Sequence, residues 1–157
     1  MTNRHASPGV IFPPPLIFLL FLLAGWGLQK FVGDIPLGLN DAARRSVALV
    51  LIVLGLGLDG ISAGQLKRHG TAVEPWKGAT SLLQSGLFAF SRNPIYLGFA
   101  VTYAGFAVGM DSPLALGLLV PCLVVMDRLV IPREEAHLKR VFGTPYELYC
   151  RKVRRWL

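Results

Sequence analysis

The chain has 157 residues and a formal net charge of +7; 53% of its residues are hydrophobic and only 16% are charged. That is one domain's worth of chain, with a charged share well under the roughly 25% of a soluble domain, and its apolar residues lie in blocks, which excludes an ordinary soluble fold and marks membrane spans. The basic residues occupy the gaps between blocks and the tail, without a basic helix face or a zinc framework, so the charge argues for membrane topology and against nucleic acid as a partner.

The first block, 13–32, opens at Pro13-Pro14-Pro15, where a missing backbone donor is tolerated. It ends near Trp26 and Lys30 without a small-x-small cleavage site, so it predicts an uncleaved helix and not a leader. A turn with Asp34, Pro36 and Gly38 leads to Asp41, the predicted N-cap of a second helix over 42–63. Gly60 and Gly64 have the spacing of a close helix contact, and Asp59 is expected to pair or to face water. The longest polar connection runs from Lys67 to Asn93 through His69, Glu74, Pro75, Trp76 and Lys77; its half-apolar stretch Leu82 to Phe90 predicts an interfacial helix.

A third span over 95–110 places Gly98, Thr102, Gly105 and Gly109 on one face. The turn Asp111-Ser112-Pro113 forces an antiparallel hairpin with a fourth span, 114–131, which contains Pro121 and ends near Asp127 and Arg128. In the tail, 132–157, Leu138, Val141 and Phe142 recur at helical spacing and Gly143 reads as a stop. Thr144, Pro145 and Glu147 predict an N-cap, first-turn proline and capping-box glutamate for a last helix, on which Tyr146, Tyr149 and Val153 share a face.

Residues 1–157 are therefore expected to form a single all-α integral membrane domain of about four transmembrane helices, with a C-terminal helical hairpin and a cytoplasmic helical tail. Four spans put thirteen of the sixteen Lys and Arg residues on one side, against Lys30, Arg44 and Arg45 on the other. The positive-inside rule then places both termini and the long connection in the cytoplasm, in an inner or plasma membrane. Cys122, in an apolar block, and Cys150, in the tail, suggest neither a disulfide nor a metal site. The oligomeric state is not legible.

Two segments carry more chemistry than anchors need. In Ser91-Arg92-Asn93-Pro94-Ile95-Tyr96-Leu97-Gly98, Pro94 starts a helix, Arg92 offers a rigid fork of donors for a carboxylate and Gly98 removes bulk one turn in. An arginine snorkelling to headgroups explains the same segment. In Arg133-Glu134-Glu135, adjacent carboxylates beside a membrane are costly unless a cation meets one of them, although acids also favour a helix start. His69 and His137 read as solvated residues.

Gly70-Thr71, Ser85-Gly86-Leu87-Phe88 and Arg92-Asn93-Pro94-Ile95-Tyr96-Leu97-Gly98, followed by Glu134-Glu135-x-x-Leu138-x-x-x-Phe142-Gly143-x-x-Tyr146-x-x-Tyr149, resemble the isoprenylcysteine carboxyl methyltransferase and phospholipid methyltransferase superfamily. The resemblance covers roughly Lys67 to Leu157. It implies S-adenosyl-L-methionine as cofactor, bound at the cytoplasmic ends of the last two spans, and methyl transfer to a lipophilic acceptor: an isoprenylcysteine carboxylate, a lipid amine or a small thiol. It places Arg92 near the cofactor's carboxylate, Glu134 or Glu135 near its amino group or ribose, and Tyr96 and Gly98 along the channel, with Asn93 and Pro94 completing the motif. Many members have His where this chain has Asn93, so no proton transfer is assigned there and no catalytic residue is named. An NADPH-dependent sterol-type reductase is the alternative enzyme, although the paired glutamates fit it less well. A non-enzymatic scaffold or transporter is the other, and it would call for ionisable residues at mid-membrane.

Overall fold

A computed structural model describes residues 13–33, 35–71 and 80–157; Arg4, Asp34, Glu74, Pro75, Trp76 and Lys77 lie outside them. The described residues are helical or irregular, with no strand among them. The helices are α1 (Pro14–Val32), α2 (Asp41–Arg68), α3 (Pro94–Gly109), α4 (Pro113–Val125), α5 (Ile131–Phe142) and α6 (Thr144–Lys152). A wide π turn, Met126–Val130, joins α4 to α5 into one helix from Pro113 to Phe142.

Three helices are long and apolar enough to cross a bilayer: α1, α2 and Pro113–Phe142. The third predicted span is realised as α3, whose 16 residues rise about 24 Å, short of a hydrocarbon core of roughly 30 Å. Leu20, Leu49, Val53, Leu54 and Leu56 remain exposed on α1 and α2, as lipid-facing residues do.

Small residues bring α2 and α3 together. A Cβ on Gly55 would collide with Thr102 Oγ1, and one on Gly105 would lie 2.9 Å from the Ile52 nitrogen. The stripe predicted on the third span is therefore used, whereas Gly60 and Gly64 have open space where a Cβ would stand, with nothing within 4 Å, and make no such contact. Gly25 serves α1 in the same way, with the Ala115 backbone of α4 occupying the place of its missing Cβ. Phe18 packs edge-on against Phe99 and Tyr103, and the Tyr103 hydroxyl donates to the Ala115 carbonyl at 2.7 Å.

Polar bonds fix one end of the bundle. Gln29 Nε2 donates to the Asp111 carbonyl at 3.0 Å, Ser112 Oγ donates to Gln29 Oε1 at 2.7 Å, and the Leu37 amide donates to Asp111 Oδ1 at 2.9 Å. The α3–α4 turn thus meets the α1–α2 connection, and α3 runs from one end of the bundle to the other.

Four local expectations are corrected. Asn40, whose backbone is extended, caps α2 by accepting from the Ala43 amide, while Asp41 enters the helix and pairs with Arg44 at 2.9 Å. Leu82 to Phe90 forms no helix beyond a single 3-10 turn, Gly86–Ala89; Gly86 has φ +61° and the Leu87 amide is captured by Gln65 Oε1 at 3.2 Å. The helix does not stop at Ile131. In a regular α-helix the Pro132 ring would clash with the Arg128 carbonyl, and the π turn just before it widens the ladder so that the helix continues. Thr144 lies inside the last helix and not at its cap: Gly143 (φ +58°) makes the reversal, and Glu147 pairs with Lys139 at 2.7 Å.

The glycine contacts yield a stability test. Gly55→Val should destabilise the detergent-solubilised protein by about 1–3 kcal/mol through overpacking, whereas Gly57→Ala, which meets nothing within 4 Å, should be neutral or stabilising by up to about 1 kcal/mol. Thermal unfolding of both variants against the parent checks the contrast.

Candidate functional site

At the opposite end of the bundle, the mouth of α3 meets α5, α6 and the 153–157 segment. Arg92 and Glu135 form an ion pair at 3.0 Å, with both side chains mostly buried. Glu135 is also gripped by Arg155, whose Nε and Nη2 reach its two oxygens at 3.0 and 2.6 Å. Such a two-point fork is the strong form of a carboxylate–arginine pair. Arg155 Nη1 continues to Asp127 Oδ1 at 2.9 Å, and Trp156 Nε1 donates to the same oxygen at 3.0 Å. The bonds to Glu135 and Asp127 hold the Arg155 guanidinium above its ordinary pKa.

Glu134 points elsewhere, as a neighbour about 100° around the helix must. It accepts a short hydrogen bond from the hydroxyl of buried Tyr96. Each glutamate of the pair is thus tied to a different residue of the Arg92–Gly98 motif. Asn93 stands at the N-cap of α3 without a side-chain cap bond; its Nδ2 donates to the Arg155 carbonyl at 3.0 Å, and Pro94 occupies the first helical position. Gly98 lies away from this cluster. It faces α2, where Asp59 Oδ1 fills the space a Cβ would take, and that oxygen is buried without a hydrogen-bond partner. Asp59 Oδ1 is thus unpaired although the residue is partly exposed, whereas Asp127 pairs with Arg155.

A cleft of about 560 Å³ opens beside the cluster, lined by Arg92, Glu135, Lys139, Tyr146, Cys150 and Arg151 among others. Arg92 Nη1 lies 2.7 Å from Cys150 Sγ, and Arg92 Nε is buried with no hydrogen-bond partner. The wall behind is built by Tyr146, Tyr149 and Val153 against Leu82, Leu138 and Phe142. The face predicted for the last helix is therefore real, and it packs α6 onto α5. Burial raises the Tyr146 phenol and pushes the Tyr149 phenol up to about 12; the Tyr149 hydroxyl donates to the Phe88 carbonyl at 2.6 Å. Lys139 holds the Glu147 carboxyl below its usual range.

His137, expected in solvent, is buried, with Nε2 lacking a partner. His69 is exposed, as expected, beside the Gln65 carbonyl. Both cysteines are free, Cys122 buried and Cys150 partly so. No group of three or more His, Cys, Asp or Glu among the described residues could hold a metal. Arg155 was missed in the sequence because it sits in a basic run that topology alone explains; nothing in its spacing distinguishes it from Arg151 or Arg154.

The fold and the site define a helical membrane protein whose charged residues converge on a cleft at one end of the bundle. The family described as phospholipid methyltransferase matches residues 43–145, and the chain belongs to that family. Relatives include two rice proteins, from Oryza sativa subsp. indica and subsp. japonica, each named probable protein-S-isoprenylcysteine O-methyltransferase. Each is 29% identical over 110 residues, covering 68% of this chain and 57% of the relative. The chain thus matches little more than half the length of these relatives. An uncharacterized protein of Haemophilus influenzae is 36% identical over 64 residues, 40% of this chain and 100% of its own. No solved structure matches.

The Tyr149 contact gives a pH prediction. Its phenol is raised in the folded state, so the stability it contributes is present below the ordinary phenol range near 10 and is lost as pH rises through about 12. Tyr149→Phe, which leaves the buried Phe88 carbonyl unpaired, should cost about 1–3 kcal/mol at neutral pH and remove this alkaline loss. Phenolate absorbance and unfolding followed together from pH 9 to 12.5 test both halves.

Proposed function

We propose that this protein is a membrane methyltransferase that takes a methyl group from S-adenosyl-L-methionine on the cytoplasmic side and delivers it to a lipophilic acceptor reached from the bilayer. The observation that carries the reading is the ion pair at the cleft, where Glu135 meets Arg92 of the α3 motif. Family membership and the printed names of the rice relatives support the reaction class.

The residues present suit this donor. A zwitterionic amino-acid group needs a cation and an anion side by side, and Arg92 and Glu135 provide them on one wall, with a buried Arg92 donor still unsatisfied. Tyr146 lines the same cleft, and an aromatic ring is a surface a sulfonium favours. When bound, S-adenosylmethionine supplies a methyl already activated on a positive sulfur.

The chain's task is then alignment and exclusion of water. Arg92 would hold the donor's carboxylate and Glu135 its ammonium or ribose. Glu134, which meets no arginine among the described residues, accepts from the Tyr96 hydroxyl and would tie α5 to the α3 motif. The apolar α1 and α2 surfaces leave the acceptor free to approach laterally from lipid. The acceptor class stays open among a carboxylate, an amine and a thiol.

Binding of S-adenosylhomocysteine to the purified chain should be measurable by titration calorimetry. Arg92→Ala should abolish it while the protein stays folded in detergent. Losing one charge-assisted bond costs roughly 1.5–3 kcal/mol, about ten- to a hundredfold in affinity. Glu135→Gln should weaken binding by that factor, and Glu134→Gln should differ from it because the two side chains diverge. Wild-type affinity in all three would sink the site assignment.

We further infer a topology with the cleft in the cytoplasm and both ends of the chain on that side, four crossings counting α3. The charge distribution and the run of α3 between the two ends of the bundle support it. In a Cys150→Ser background, cysteines placed at the exposed His69, near Thr71, and at Leu157 should react only from the cytoplasmic face and one at Leu39 only from outside. Labelling of Leu157 from outside would overturn the topology.

A further inference from the structure

The 153–157 segment does more than end a helix. Its backbone is stitched to the mouth of α3: the Arg92 amide donates to the Arg154 carbonyl at 3.0 Å, and Asn93 Nδ2 and Ser91 Oγ both donate to the Arg155 carbonyl, at 3.0 and 3.3 Å. From that anchored backbone the Arg155 side chain spans to Asp127 at the π turn and to both oxygens of Glu135 on α5. One residue thus joins the α3 mouth, the π turn and the second glutamate.

The consequence falls on Arg92. Glu135 has two oxygens and two arginines to share them, and Arg155 takes both oxygens, leaving Arg92 a single-point contact at 3.0 Å. Arg92 therefore keeps Nε without a partner and rests Nη1 against Cys150 Sγ at 2.7 Å, along the cleft. Were Arg155 absent, the fork geometry of a guanidinium would favour Arg92 closing on Glu135 with two bonds. That would occupy both groups on the cleft wall with each other.

We propose that Arg155 is a positioning residue of the donor site: by taking Glu135 in a two-point grip it keeps Arg92 from doing so, and leaves Arg92 free to meet an anionic group in the cleft. This rests on the methyl-donor reading above for its ligand, but the side-chain rearrangement it specifies is independent of any ligand.

The test uses the full chain in detergent and two readouts. The first is the rate of maleimide reaction at Cys150 without ligand; Cys122, the other cysteine, is fully buried. Arg155→Ala should uncover the thiol as Arg92 swings to Glu135, raising the rate several-fold. The second is S-adenosylhomocysteine affinity. Arg155→Ala should bind about tenfold more weakly, the loss of roughly one charge-assisted contact. In the double variant Arg155→Ala/Glu135→Gln, Arg92 has no carboxylate to capture, so binding should be no weaker than in Glu135→Gln alone. A residue that merely braced the fold would give losses that add. Arg155→Lys keeps the charge without the planar fork, and should shift both readouts in the same direction by less. Wild-type thiol rate and affinity in Arg155→Ala and Arg155→Lys would overturn the proposal, as would additive losses in the double variant. If the parent protein itself bound no S-adenosylhomocysteine, the donor reading would fail, and the thiol rates would still decide the role of Arg155.

Discussion

The carboxylate of Glu135, held between Arg92 and Arg155, ties together segments that the chain separates widely: the mouth of α3, the start of α5 and the stretch beyond α6. A carboxylate in this mostly buried position carries a desolvation cost that bonding from two guanidiniums offsets. Removing either cation would leave Glu135 with only one of its two guanidinium partners. Asp127 extends the arrangement, so that two carboxylates and two arginines balance in charge.

That balance requires the helices to arrive at fixed heights. Gly55, Gly98 and Gly105 let α2 and α3 approach until backbone meets backbone, and the polar knot of Gln29, Asp111 and Ser112 pins the far end. The π turn before Pro132 then shifts the register of the last long helix. Without that extra residue in the turn, everything beyond it would rotate by about 100°. Glu134 and Glu135 would then be presented to different neighbours. A backbone irregularity that a proline imposes is thus what aims the two carboxylates.

The division between the adjacent glutamates has a chemical consequence. Glu135 is saturated by arginine, whereas Glu134 is paired to a neutral phenol. The two carboxylates are therefore electrostatically unlike despite their adjacency. His137 and Asp59 each bury a polar atom with no partner. Both stand close to the motif, His137 two residues beyond Glu135 and Asp59 against Gly98.

The sequence by itself determined the helical membrane class, where α1 through α4 begin, the small-residue stripe on α3, the Gly143 stop and the Tyr146–Tyr149–Val153 face; α2 runs on past the expected 63 to Arg68. These depend on local patterning, and a block of apolar residues or a period of 3.6 can be read without knowing what lies opposite. The motif residues Arg92, Tyr96, Glu134 and Glu135 were legible because their order resembles a known family. What only the tertiary structure decided was pairing. Gly60 and Gly64 have the right spacing yet face nothing, while Gly55 makes the contact; Gly98 belongs to a helix seam and not to the cleft; Asn40 displaces Asp41 as the cap. Arg155 was invisible for the same reason. Within a run of basic residues each arginine has the same local chemistry, and only the return of the chain across the mouth of α3 selects the one whose guanidinium reaches Glu135 and Asp127. Spacing along a chain fixes which residues share a face, but not which face of another helix will come to meet them.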